Sequence, residues 1–126
     1  MKKSIKRMLL VVLPLFLINM VMAQSPKGTE LKIKTSSQCE TCKETLEKAM
    51  AYEKGVKESS LDVESKILTV WYNPEKTTPE KIRKAINLAG YDADDTKADP
   101  KAYSKLKDCC KKPEDRHDHS AGCHHE

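Results

Sequence analysis

Apolar and polar residues alternate over Glu30–Thr35, placing Leu31, Ile33 and Thr35 on one face, and this period of two predicts a first β-strand. From Thr41 to Lys54 the period changes. Cys42, Leu46, Ala49 and Met50 recur at helical spacing, and Gly55 offers a C-terminal cap. Val56–Val63 alternates weakly through Val56, Leu61 and Val63, which predicts a second strand, and Glu64-Ser65-Lys66 predicts a turn. Ile67–Tyr72 is dense in β-branched and aromatic residues and reads as a third strand, stopped by Asn73-Pro74. A second helix should open at Thr78 as N-cap, with Pro79 at its first position and Glu80 in its first turn. Its apolar stripe is Ile82, Ala85, Ile86 and Ala89, and Gly90 closes it. Tyr91–Asp94 predicts a short final strand at a charged edge.

The order strand, helix, strand, strand, helix, strand predicts an α+β, ferredoxin-like fold. Its sheet would be four-stranded and antiparallel, with both helices on one face. Each helix carries one apolar stripe, as burial of a single face requires. Trp71, Tyr72 and Tyr52 read as packing residues and Met50 as core.

The ends differ in character from this middle. Lys2, Lys3, Lys6 and Arg7 precede the apolar run Met8–Met22, and Ala23 follows, the pattern of an export signal cleaved near Ala23. The run is shorter than the roughly 20 apolar residues of a membrane span, and Pro14 and Asn19 interrupt it. The expected organisation is a signal over 1–23, a polar lead-in over 24–29, a domain over 30–96 and a Cys/His-rich tail over 97–126. Asp99-Pro100 predicts a short helix through Lys107, and Cys109–Glu126 is expected to be disordered without a ligand. Removing the signal changes the charge. Its four bases account for the whole excess of 23 basic over 19 acidic residues, so the mature chain is neutral and nothing suggests nucleic acid as a partner.

The candidate chemistry lies in the cysteines. Cys39 and Cys42 form a C-x-x-C where the first strand gives way to the first helix. Unpaired N–H groups of a helix's first turn favour anionic sulfur, and the spacing lets both thiolates reach one ion or each other. The pair is therefore a soft-metal site or a redox couple. In the tail, Cys109, Cys110, His117, His119, Cys123, His124 and His125 lie within 17 residues and include every histidine of the chain. Thiolate with imidazole suits Cu(I) or Zn(II), and the adjacent cysteines lack zinc-finger spacing. A flexible metal-gathering tail is the expectation; a solvated tail or a Cys109–Cys110 disulfide stands beside it. Five cysteines cannot all pair within one molecule.

The strand–C-x-x-C–helix, Gly55-Val56, the Lys66–Tyr72 strand, Asn73-Pro74, Thr78–Ala89 and Gly90-Tyr91 together resemble the heavy-metal-associated family over about residues 29–95. The family includes copper chaperones, N-terminal domains of metal-exporting P-type ATPases and the periplasmic mercuric-ion-binding protein. The resemblance implies that Cys39 and Cys42 hold one soft ion and that Tyr91 packs beside it as a screen. The family's Gly-Met-x-Cys-x-x-Cys is here Ser36-Ser37-Gln38-Cys39-Glu40-Thr41-Cys42. Ser37 cannot supply the methionine's apolar anchor, so a looser loop or a different ion is expected. No Asp flanks Cys39 on its N-terminal side, although Glu40 offers a carboxylate.

These readings combine into an exported, periplasmic or secreted metal-binding protein that is soluble, monomeric and not an enzyme. It would take Cu(I) first, Hg(II) second and Zn(II) third in an exposed loop. It would pass the ion by ligand exchange to a metal-transporting membrane protein or an efflux component. A thiol–disulfide redox protein and a sequestering protein without a transfer partner are the alternatives.

Overall fold

The structure, a computed structural model, describes residues 28–116. The expected signal over 1–23, and His117, His119, Cys123, His124 and His125 of the tail, lie outside the described residues. Three strands form one antiparallel sheet: β1 (Thr29–Lys34), β2 (Val56–Asp62) and β3 (Ile67–Tyr72), in the order β1-β3-β2. The central place falls to β3, whose side chains are at least half-buried on both faces. Helix α1 (Glu40–Tyr52) follows β1, and α2 (Pro79–Leu88) follows β3.

One face of the sheet makes the core. Ile33, Leu61, Leu68, Val70 and Tyr72 meet Cys42, Leu46 and Met50 from α1 and Ile82 and Ile86 from α2. A polar clamp fastens α1 to the β2 edge. Lys43 Nζ donates to the Leu61 carbonyl at 2.8 Å and pairs with Glu47 Oε1 at 2.9 Å, which in turn accepts from the Leu61 N–H at 2.8 Å. Helix α2 starts as its sequence dictates: Thr78 Oγ1 accepts from the Lys81 N–H at 3.3 Å, and Pro79 occupies the first helical position.

The expected fourth strand is reduced to a bridge. Ala93 meets the sheet only through its bridge to Thr35, its other bridge being to nearby Thr96, and Asp94, at a φ of 49°, turns the chain away. The Asp94 N–H donates to the Lys34 carbonyl at 2.8 Å, and Asp94 Oδ1 accepts from the Lys34 N–H at 2.9 Å, so a side chain takes over the next rung of the ladder. Among the described residues the sheet therefore has three strands. Tyr72 and Met50 are core residues as expected, whereas Tyr52 is 82% exposed at the end of α1, where the helix no longer faces the sheet.

The larger departure concerns the tail, whose first part is ordered. Asp99 caps a short helix, α3 (Pro100–Ser104), by accepting from the Ala102 N–H at 2.8 Å. Two single 3-10 turns follow, Asp108–Cys110 and Pro113–Asp115. This segment folds back on the domain at Gly90, where α2 ends with a φ of 101°. A Cβ at Gly90 would stand 3.1 Å from the Leu106 side chain and 3.2 Å from the Ala102 carbonyl oxygen. Both the backbone conformation and the close approach disfavour a larger residue.

Gly90→Ala should therefore destabilise the protein by roughly 1–3 kcal/mol, read as a lower urea midpoint. An unchanged midpoint would show that the tail does not press on Gly90.

Candidate metal centre

Thr35 leaves β1 and begins the loop that carries the cysteines. Its N–H and its Oγ1 both donate to the Lys66 carbonyl, at 2.9 Å and 3.0 Å. A hydroxyl has one proton, so the 2.9 Å contact between Thr35 Oγ1 and Ser37 Oγ uses the Ser37 proton. Ser37 is fully buried. Ser36 Oγ accepts from the Asp92 N–H at 2.9 Å, and Gln38 Nε2 donates to the Ser36 carbonyl at 3.0 Å. The looser loop expected from Ser37 is thus corrected: hydrogen bonds anchor it where the family pattern has an apolar side chain.

Cys39 is the N-cap of α1, with extended backbone, and its carbonyl accepts from the N–H groups of Cys42 and Lys43 at 3.0 Å and 3.2 Å. Cys42 lies one turn on, and its sulfur reaches back past the N-cap to accept from the Gln38 N–H at 3.4 Å. The two sulfurs are 3.4 Å apart, and neither is in a disulfide.

A third thiol joins them. The first 3-10 turn of the tail places Cys110 Sγ 3.9 Å from Cys39 Sγ, and all three sulfurs lie within 4.8 Å of one another. Cys42 and Cys110 are 0% and 3% exposed, and Cys39 is half-buried. The site is therefore enclosed rather than an exposed loop. Cys110 is a free thiol 4.0 Å from Cys109 Sγ, so no Cys109–Cys110 disulfide forms. The Cys109 carbonyl lies 3.8 Å from Cys39 Sγ and accepts from Arg116 Nη2 at 3.4 Å.

Several contacts hold this segment in place. Lys112 Nζ meets Asp92 Oδ2 at 2.8 Å, and Asp92 Oδ1 accepts from the Ala98 N–H at 2.9 Å. Burial pushes the Asp92 carboxyl up, but Lys112, the Ala98 N–H and Lys97 together outweigh it and hold the group below its ordinary value. Tyr103 Oη accepts from the Lys112 N–H at 2.9 Å and donates to Asp115 Oδ2 at 2.7 Å.

The electrostatics of the three thiols are unequal. The Cys110 sulfur lies within 4.8 Å of the Cys42 sulfur. Burial opposes ionisation of Cys42, but the Cys110 contact, the N–H groups of Gln38 and Cys39 and the Cys39 thiol bring it down from 9.0 to about 5. The same contact, together with burial and the neighbouring charge, pushes the Cys110 thiol up. Tyr91 is fully buried, and its hydroxyl stands against the sulfurs of Cys42 and Cys110 without forming a hydrogen bond of good geometry. Burial first, and then the adjacent anionic sulfur, push its phenol up, so it remains a proton donor. The family resemblance implied Tyr91 beside the cysteines, but the sequence could not select Cys110, because nothing in an aperiodic tail sets its distance from residue 39.

Comparison with known proteins decides the family. Residues 38–92 match the Heavy-metal-associated domain. The mercuric transport protein periplasmic component of Shewanella putrefaciens is 33% identical over 67 residues, covering 53% of this chain and 72% of that protein. The chain belongs to the heavy-metal-associated family. Copper chaperone CopZ of Staphylococcus epidermidis is 35% identical over 54 residues, covering 43% of this chain and 79% of the chaperone. Among solved structures, a CopZ metallochaperone superposes with a TM-score of 0.50 at 24% identity, over 52% of this chain and 98% of its own. A copper-binding domain from HMA7, a P-type ATPase, gives 0.51 at 23% identity, over 52% of this chain and 89% of its own. These two support the α+β fold with its antiparallel sheet and helices. The family match ends at Asp92, so Cys39, Cys42 and Tyr91 fall inside it and Cys110 falls outside. No helix among the described residues is long and apolar enough to cross a membrane.

In the reduced, metal-free protein, one thiolate should appear in ultraviolet absorbance as the pH rises through about 5. Cys110→Ala should move that step up towards 9, since it removes the largest cause of the shift. Between these values the unfolded chain holds a proton on Cys42 that the folded chain has lost, so stability should rise with pH across the window. Absence of thiolate below the ordinary range would contradict this arrangement.

Proposed function

We propose that this protein is an exported carrier of a soft metal ion, captured between Cys39 and Cys42 and passed on by ligand exchange. The observation that carries the reading is the unlinked pair of sulfurs 3.4 Å apart at the start of α1, one of them held as a thiolate. Soft sulfur donors select soft ions, with Cu(I) preferred, Hg(II) second and Zn(II) third. Cys42 offers charge, and half-buried Cys39, at the helix cap, offers reach. A partner's thiolates would displace the two cysteines one at a time through a shared three-coordinate intermediate. No bond of a substrate is made or broken beyond the ion–sulfur bonds, so the protein acts as a carrier and not an enzyme.

Cleavage near Ala23 would release the carrier into the periplasm or the medium, and the receiving partner would be a metal-transporting membrane protein or an efflux component. The named relatives, one a periplasmic component of mercuric transport and one a copper chaperone, support this reading. A redox role fits less well, because Cys42 is fully buried and Cys110 stands against Cys39, which keeps an external protein disulfide away from the pair. A sequestering protein would share the capture step and lack the transfer.

Anaerobic titration of the reduced mature protein with Cu(I), Hg(II) and Zn(II), read by mass spectrometry, tests the proposal. One tightly held soft ion is expected, lost in the double variant Cys39→Ser/Cys42→Ser and transferable to a thiol-bearing acceptor domain. Retention of the ion by the double variant would overturn the reading. Binding without transfer would favour sequestration.

A further inference from the structure

The tail thiol that reaches the C-x-x-C changes the chemistry available there. Two cysteines alone present a soft ion with a two-coordinate site that is open to solvent and to any incoming thiol. Here the open side is covered. Cys110 Sγ lies 3.9 Å from Cys39 Sγ, the three sulfurs converge within 4.8 Å, and none of the three is in a disulfide. Sulfur–sulfur separations of this order bring one ion within bonding distance of all three, with bonds near 2.3 Å as for zinc thiolates. Tyr91 adds a fourth element, a buried hydroxyl that stands against two of these sulfurs without a hydrogen bond of good geometry. An unpartnered buried donor is unfavourable, and coordinated thiolates are acceptors that would satisfy it.

We propose that Cys110 is a third ligand, so that Cys39, Cys42 and Cys110 hold one soft ion in three-coordinate thiolate geometry inside an enclosed site. The assignment rests on the carrier reading and deepens it, since it concerns the same ion. Binding forms three ion–sulfur bonds, and the protons still carried by the thiols pass to bulk water. Cys110 also sits where an incoming thiolate of a receiving protein would bind. Transfer then begins by exchange at this position: one new ion–sulfur bond forms, the bond to Cys110 breaks, and Cys110 takes up a proton from water. The tail's hold on the domain, through Lys112 and Asp92 at 2.8 Å and Leu106 against Gly90, accordingly governs how readily the ion is given up.

The test is X-ray absorption of the reduced mature chain carrying one equivalent of Hg(II), an ion whose two- and three-coordinate thiolate forms differ in bond length. The wild type is expected to show three sulfurs, and Cys110→Ser two, with one ion retained by both. Cys110→Ala, which cannot coordinate, should repeat the result, and the wild-type count stands even if neither variant folds. Two sulfurs in the wild type would overturn the assignment and leave the carrier reading in place. Three sulfurs in Cys110→Ser would assign the third position to another donor of the chain and equally overturn it. Undiminished binding in Cys39→Ser/Cys42→Ser would remove the carrier reading, and this inference with it.

Discussion

Everything at the cysteine cluster depends on one residue being both core and chemistry. Cys42 packs on the same apolar stripe as Leu46 and Met50, fully buried against the sheet. Its sulfur nevertheless points out of that stripe into a ring of donors: the Gln38 N–H, the Cys39 thiol and the Cys110 thiol. Free cysteine is small and apolar enough to be tolerated in a core, and soft enough to hold charge when donors surround it. The helix start supplies some of those donors because its first N–H groups have no helical partner. The rest come from a loop and a tail far apart in sequence.

Loop and tail meet at Asp92. Its N–H holds Ser36 of the loop, and its carboxylate holds Ala98 and Lys112 of the tail. Displacing the tail would strip this carboxylate of its Lys112 partner while it remains largely buried, so the tail is fastened by more than the contacts of Cys110 itself. The domain side of the junction lies within the family match, and the tail side does not.

Much of this was legible in the sequence, and what was not has a physical reason. Both long helices and all three strands follow from periodicity, because each buries one face against a single layer. The short edge segment at Tyr91–Asp94 makes only one bridge to the sheet, since a left-handed Asp94 ends the pairing and pairing partners are set by tertiary geometry. Cys39 and Cys42 were visible because their spacing is local. Cys110 was visible only as a cysteine, because its role comes from a fold-back whose contacts (Gly90 with Leu106, Asp92 with Lys112) have no periodic signature. Ser37 misled for a related reason. Loss of an apolar anchor is readable in sequence, whereas its replacement by Thr35, Lys66 and Asp92 requires three distant segments to be seen together.

Gly90 shows how little the fold-back demands of the chain that supports it. A helix ending with a φ of 101° already calls for glycine at that place, whatever lies nearby. The bare backbone left there is also the spot on which Leu106 and the Ala102 carbonyl rest. The stop signal of one helix thus serves as the seat of the next, and the seat comes with the fold, asking nothing further of the sequence at that position.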